Sequence, residues 1–365
     1  MHADSPPLTL TTPVSTASAP PIVPMELWAF LENSDFKRRK DGQIKRWDEV
    51  KLIKHDQFLV QDYALLNSIG CVGVRDAARW YLTHPAPGVY DWTWMDAMVE
   101  AANNAGLHLY IDLWHYGYPD WMNLMSPAAV EHFADFAEQI ARRYPTIRHY
   151  CVSNEPSLLI QMGGVEGRWS PFQRRKDPTL LRQQICRMMI AASEAILRVR
   201  ADALLIVPEP WHATNLRSED EQAAVLDTVM GLRDPHLGGR SEYVSIVGLN
   251  HYRDSTLPPF HQLILNAQRR YPEKTLWFTE TSGPPRGWQQ TEWFWWMMAE
   301  VRLAQMAGVC IPVFTWAPAI SMYDWLDDTR LLENGIWTLD RDGNRLPNGY
   351  MIEAIELARQ YGYLR

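Results

Sequence analysis

The chain has 365 residues, of which 47% are apolar and 21% charged, with a formal net charge of −8. This balance supplies ample core material and excludes the global basic excess that would attract a phosphate backbone, so no nucleic-acid partner is expected. No run of about 20 apolar residues occurs, so no membrane-spanning helix is expected either.

The first 24 residues, "MHADSPPLTLTTPVSTASAPPIVP", are rich in Pro, Ser, Thr and Ala and have little to bury, which predicts a disordered or loosely attached tail. They do not combine a positive n-region with an apolar h-region, so they do not read as a secretory signal, and a cytoplasmic location is the expectation. From Met25 to Arg365 no second linker interrupts the pattern, which predicts one continuous domain.

Within it, short apolar runs alternate with helical patterns. The predicted strands are 25–30, 71–76, 107–112, 148–153, 204–209, 244–250, 275–280 and 308–314. Helices are predicted over 49–68, 93–105, 127–144, 180–200, 221–231, 259–270, 289–307 and 349–361. The pattern is clearest in 127–144, where Val130, Phe133, Ala137, Ile140 and Tyr144 recur at helical spacing after Ser126-Pro127. Continuous apolar strands alternating with amphipathic helices imply a parallel sheet covered by helices. Eight such units predict a closed (β/α)8 TIM barrel forming a single domain. A doubly wound open sheet is the alternative, but no Gly-rich phosphate turn follows the first strand. Cys71, Cys151, Cys186 and Cys310 are widely spaced, and the three that sit in apolar strand-like runs read as reduced core thiols.

Active sites of such barrels form at the C-terminal ends of the strands. The polar residues there are, in chain order, Glu32; Arg75 and Asp76; Asp112 and His115; Asn154 and Glu155; Glu209 and His212; Asn250, His251 and Tyr252; and Glu280, with Trp316 ending the eighth strand. Glu155 and Glu280 close strands four and seven, which face each other across a barrel mouth. Two carboxyls about 5–5.5 Å apart suit a retaining glycoside hydrolase, and about 6.5–9.5 Å an inverting one. The order Arg75, Asn154-Glu155-Pro156, Asn250-His251-Tyr252, Glu280, Trp316 resembles clan A glycoside hydrolases. It is most similar to divergent relatives of family 1, the β-glucosidase family, through "DLWHYGYPDWM", "VSNEPS", "GLNHYRDS" and "FTETSG".

The resemblance implies that Glu155 is the general acid/base and Glu280 the nucleophile. It implies that Asn154 bonds the sugar 2-hydroxyl, that Arg75 and Tyr252 hold Glu280, and that His115 and Trp316 line the sugar pocket. The chain departs from family 1 at Thr281-Ser282-Gly283 after the nucleophile, at Tyr116 in place of the usual Trp, and in "TWAPAISMYDWLDD". These departures touch the identity of the sugar.

Glu209, His212 and Glu32 are further candidates for substrate binding. Many of the seventeen Trp follow strand ends, where aromatic faces suit sugar rings; Trp316 leads, with Trp114, Trp211 and Trp325 behind it. No His-x-His or His-x-x-x-His pair supports a metal site, and no cofactor is expected. The basic runs "KRRKDGQIKR" (37–46) and "RRK" (174–176) fall in loops of the catalytic face, either as solvated charge or as a site for an anionic sugar. The expectation is a retaining β-glycosidase acting on a small glycoside or oligosaccharide. Transglycosylation through the same intermediate and a non-catalytic carbohydrate-binding barrel are the alternatives. No oligomeric state follows from these features.

Overall fold

Eight parallel strands hydrogen-bond in a closed ring: β1 (Glu26–Phe30), β2 (Gly73–Ala77), β3 (His108–Asp112), β4 (His149–Cys151), β5 (Leu204–Pro210), β6 (Ile246–Asn250), β7 (Thr275–Glu280) and β8 (Val313–Trp316), with β8 pairing back onto β1. The computed structural model describes residues 23–211, 221, 223–252, 259–283 and 287–365. The architecture is the (β/α)8 barrel that the alternation of elements predicts. The N-terminal stretch expected to be a tail lies outside the described residues up to position 22.

Side-chain alternation along each strand divides the barrel into an inner and an outer layer. Trp28, Tyr110, Cys151, Ile206, Ile246, Trp277 and Val313 point inward and form one closed cluster. Trp28 and Trp277 dominate it, with ring centroids 5.3 Å apart. Gly73 makes room for them, because a Cβ there would sit 2.6 Å from the Trp28 ring. Truncating either Trp would leave a large hole and cost about 3–5 kcal/mol. The barrel is therefore plugged below, and a site can form only at its upper mouth.

The outward residues pack on the helices. In the helix Ala128–Arg143, Phe133, Phe136, Ala137 and Ile140 form the buried stripe, and it lies against the helix Thr179–Val199. The segment predicted as one helix over 49–68 is two, Glu49–Leu52 and His55–Ser68, broken where Lys54 adopts φ 56°. No helix among the described residues is long and apolar enough to cross a membrane. Cys71, Cys151 and Cys186 are buried, whereas Cys310 is exposed just ahead of β8.

The first basic run, expected to be a loop, is a β-hairpin of Asp35–Lys40 and Gln43–Asp48. Its turn is Asp41-Gly42, with φ 53° and 74°, the pair of positive φ values that a two-residue hairpin turn demands. Further hairpins join Met322–Asp324 to Asp327–Leu332 and Trp337–Leu339 to Arg345–Pro347.

Candidate active site

Strand parity decides which strand-end residues reach the barrel mouth. Counting in twos from the inward Trp28, Gly73 and Tyr110 brings Glu32, Arg75 and Asp112 inward, and counting from Ile246 brings Asn250 inward. The same count turns Asp76, Glu209 and Trp316 outward. Asp76 accordingly bonds His55 and Tyr63, on the helix His55–Ser68. Glu209 receives a 2.5 Å hydrogen bond from Ser157 Oγ and is fully buried. Trp316 is also fully buried, with its ring 6.0 Å from Phe294 of the helix Gly287–Met306. Neither Glu209 nor Trp316 lines the central cavity. His212 lies outside the described residues.

Glu280 breaks the count. Inward Trp277 would make position 280 outward-facing, but the β6–β7 register jumps from Leu249↔Phe278 to Asn250↔Glu280. Thr279 is the extra residue of a β-bulge, and it restores Glu280 to the inside. Thr279 Oγ1 also donates to Asn250 Oδ1 at 2.7 Å. Glu155 is aimed differently. Pro156 begins a short helix, Pro156–Leu159, and a proline disfavours the αR region for the residue before it. Glu155 takes φ 39°, ψ 56°, with its amide bonded to Pro208 O at 3.0 Å. This left-handed conformation of a non-glycine residue costs about 1–3 kcal/mol, and the surrounding bonds hold it.

Both glutamates line one cavity of about 480 Å³, together with Glu32, His115, Tyr116 and Tyr252. Arg75 Nη1 donates to Glu280 Oε1 at 2.5 Å and Tyr252 OH to Oε2 at 2.9 Å. Arg75 Nη2 donates to Asp112 Oδ2 and to Asn154 Oδ1, both at 2.7 Å. Glu155 accepts from Tyr116 OH at 2.8 Å and from Asn250 Nδ2 at 2.9 Å. Asn154 Nδ2 reaches His115 Nε2 at 3.0 Å and Tyr116 OH at 3.1 Å. One network thus joins the surroundings of the two carboxylates.

That network fixes protonation states. Arg75 is a permanent donor, so it binds Asn154 through Oδ1 and turns Nδ2 toward His115. His115 Nε2 must then accept, and its proton sits on Nδ1, 2.8 Å from Asp112 Oδ2. Burial opposes a charge on His115 while Asp112 favours it, and the balance raises its pKa. The amide facing Nε2 nevertheless selects the neutral ring, since a second ring proton would meet an NH2 group. Burial pushes Glu280 up to about 7, Arg75 opposes this, and Glu155 adds to it. Burial also raises Glu32, against the hydrogen bonds it accepts from Ser34. The Tyr116 and Tyr252 phenols are held protonated by burial and by the nearby carboxylates.

The structure therefore brings together Glu32, Arg75, His115, Asn154, Glu155, Tyr252 and Glu280. Sequence reasoning gave no role to Tyr116, Asp112 or Asn250. The last two were legible as strand-end polar residues, and parity marks them as inward. The aromatic wall is Trp169 and Trp325, 5.4 Å apart, with Tyr116 5.0 Å from Trp169. Asp324 and Asn334 complete the polar lining on the strand-eight side.

Residues 61–242 match the sequence model of the family described as Cellulase (glycosyl hydrolase family 5). The match includes Arg75, His115, Asn154 and Glu155 and ends before Glu280. No curated protein matches by sequence. Among solved structures, the chain is similar to a β-glucosidase from Thermotoga maritima in complex with azafagomine, with a TM-score of 0.75, 12% identity, and 95% of this chain and 99% of that one covered. It is similar to a family 1 β-glucosidase from the same organism (TM-score 0.69, 12% identity, 86% and 88% covered). It also resembles the AHE enzyme from Alicyclobacillus herbarius (TM-score 0.70, 18% identity, 84% and 87% covered). At such identities the structural likeness is one of fold, and the family 5 match adds the glycosidase relationship. Together they support a clan A glycoside hydrolase with a β-glucosidase-like fold.

Proposed function

We propose that the chain is a retaining β-glycosidase that hydrolyses a small β-glycoside or oligosaccharide in two displacements. The observation that carries this reading is the unequal company of two glutamates in one cavity. Glu280 faces Arg75, which can only donate, so it favours a carboxylate there. Glu155 faces Tyr116, whose hydroxyl can donate to a carboxylate or accept from a carboxylic acid. A single proton shared by the pair is therefore best placed on Glu155.

In the first step a Glu280 oxygen attacks the anomeric carbon as the glycosidic C–O bond breaks, and the Glu155 proton passes to the leaving oxygen. Glu155, now a carboxylate, takes a proton from water, whose oxygen attacks the same carbon and releases Glu280. Asn154, linked to Glu280 through Arg75 and to Glu155 through Tyr116, is the residue we assign to the sugar 2-hydroxyl, with Glu32 and His115 as polar contacts to other hydroxyls. Trp169 and Trp325 supply apolar faces for the ring.

The test is stereochemical. NMR of early product should show the β-anomer first, and Glu280→Ala with azide should convert an activated β-glycoside to the α-glycosyl azide. An α-anomer first from the unaltered protein, or a β-azide from the variant, would remove Glu280 as nucleophile.

A further inference from the structure

Beside the central cavity lies a second one of about 260 Å³, and the two share Met162, Arg168, Trp169, Trp325 and Leu326 as a common wall. The outer cavity is lined by five cations, Arg38, Arg39, Lys40, Arg168 and Arg174, and by no acidic side chain. Arg38 and Lys40 share Asp328, and Arg168 pairs with Glu166 at 2.9 Å. Arg39 and Arg174 have no carboxylate partner among the described residues. Arg39 instead stands 4.7 Å over the Phe172 ring. Five cations thus meet two carboxylates, in a chain whose net charge is −8. The two basic runs of the sequence, 37–46 and 174–176, converge on this spot through Arg38, Arg39, Lys40 and Arg174. Arg175 does not line it, and Lys176 lines a different cleft.

Position assigns the cavity to one side of the scissile bond. Met162, Gly167, Arg168, Trp169 and Arg174 all belong to the segment that follows Glu155, the residue that would protonate the leaving oxygen. We propose that this cavity is an aglycone subsite for a leaving group with a flat apolar body and an anionic substituent, a carboxylated aryl group in its simplest form. Trp169, Trp325 and Met162 take the body. Arg39 and Arg174, free to form charge-assisted hydrogen bonds, take the anion. The proposal rests on the glycosidase reading for the role of Glu155, but the cavity and its charge stand apart from it.

The experiment compares an aryl β-glycoside with its ring-carboxylated counterpart, in the unaltered protein and in Arg39→Gln/Arg174→Gln. The carboxylated substrate should have the higher kcat/KM at low salt by about tenfold, the scale of one charge-assisted hydrogen bond. The ratio should fall toward one in the double variant and in 0.5 M NaCl, a concentration at which surface charges are screened. Each variant is its own reference through the neutral substrate. Equal kcat/KM for the two substrates, or a preference that survives the double substitution, overturns the subsite. A parallel arm measures benzoate against benzamide by saturation-transfer NMR and needs no turnover. If neither glycoside is cleaved but benzoate binds preferentially and loses that preference in the double variant, the subsite stands and the glycosidase reading fails. If benzoate shows no preference, the subsite fails whatever the turnover.

Discussion

Arg75 and Glu280 lie 205 positions apart in the chain and meet in a buried ion pair, Nη1 to Oε1, at 2.5 Å. The guanidinium opposes the burial and the Glu155 charge that raise Glu280 to about 7. Because the two glutamates interact, their titration belongs to the pair. In the proposed mechanism activity requires one proton shared between Glu155 and Glu280, so it should fall at low pH as a second is taken up and at high pH as the last is lost. Arg75→Met removes the charge that keeps Glu280 ionised. The acid limb of the kcat/KM profile should move to higher pH, and kcat/KM at pH 7 should fall by about 100-fold or more. The same variant leaves Asp112 and Glu280 uncompensated, which should cost about 3–5 kcal/mol in unfolding free energy. An acid limb that stays in place in a folded Arg75→Met protein would take Arg75 out of this role.

Glu155→Ala should separate substrates by leaving group. Those with good leaving groups need no proton in the first step and should keep much of their glycosylation rate. Those with poor ones should lose about 100-fold or more. Pre-steady-state kinetics on both kinds checks this, and equal losses would exclude Glu155 as the acid.

A buried network away from the mouth makes a prediction about stability. His55 Nδ1 lies 2.7 Å from Asp62, His55 Nε2 lies 2.9 Å from Asp76, and Arg345 binds Asp62 through two bonds of 2.6 Å. Burial alone would lower His55, but Asp76 and Asp62 outweigh it and raise its pKa to about 9. The folded value lies above the unfolded one, so this contribution is complete below about pH 6.5 and is lost as pH rises through 9. It amounts to about 3 kcal/mol. The melting temperature should therefore decline between pH 6.5 and 9, and His55→Gln should be less stable at pH 6 with a flatter profile. A slope unchanged in His55→Gln would assign the decline to other groups.

Much of this was legible in the sequence, for reasons that also mark the limits. Apolar runs and helical spacing report burial, and burial is what the eight strands and the helix 128–143 have in common. The Asn154-Glu155-Pro156 stretch was legible because proline constrains the chain before and after it. Trp316 and Glu209 were assigned to the mouth because strand-end position was counted without parity, and β8 and β5 turn both outward. The hairpin at 35–48 was hidden by its charge, although Asp41-Gly42 carried its turn. Tyr116 could not be weighed from sequence, since its role rests on a hydroxyl that meets Glu155 from another loop.

Thr279 acts on the site twice over. As the unpaired residue of the β7 bulge it shifts the phase of the strand and so turns Glu280 toward the axis. Through its hydroxyl it holds the Asn250 amide by its oxygen, leaving Nδ2 to face Glu155. A chain shortened by this one residue could still pair β6 with β7 in unbroken register and close the barrel. Glu280, then two residues after the inward Trp277, would still face the axis, but the Asn250 amide would lose the bond that orients it. Folding and chemistry thus place opposite demands on a single position, where the sheet would gain a ladder step from the deletion and the cavity would lose the hydroxyl that sets the amide facing Glu155.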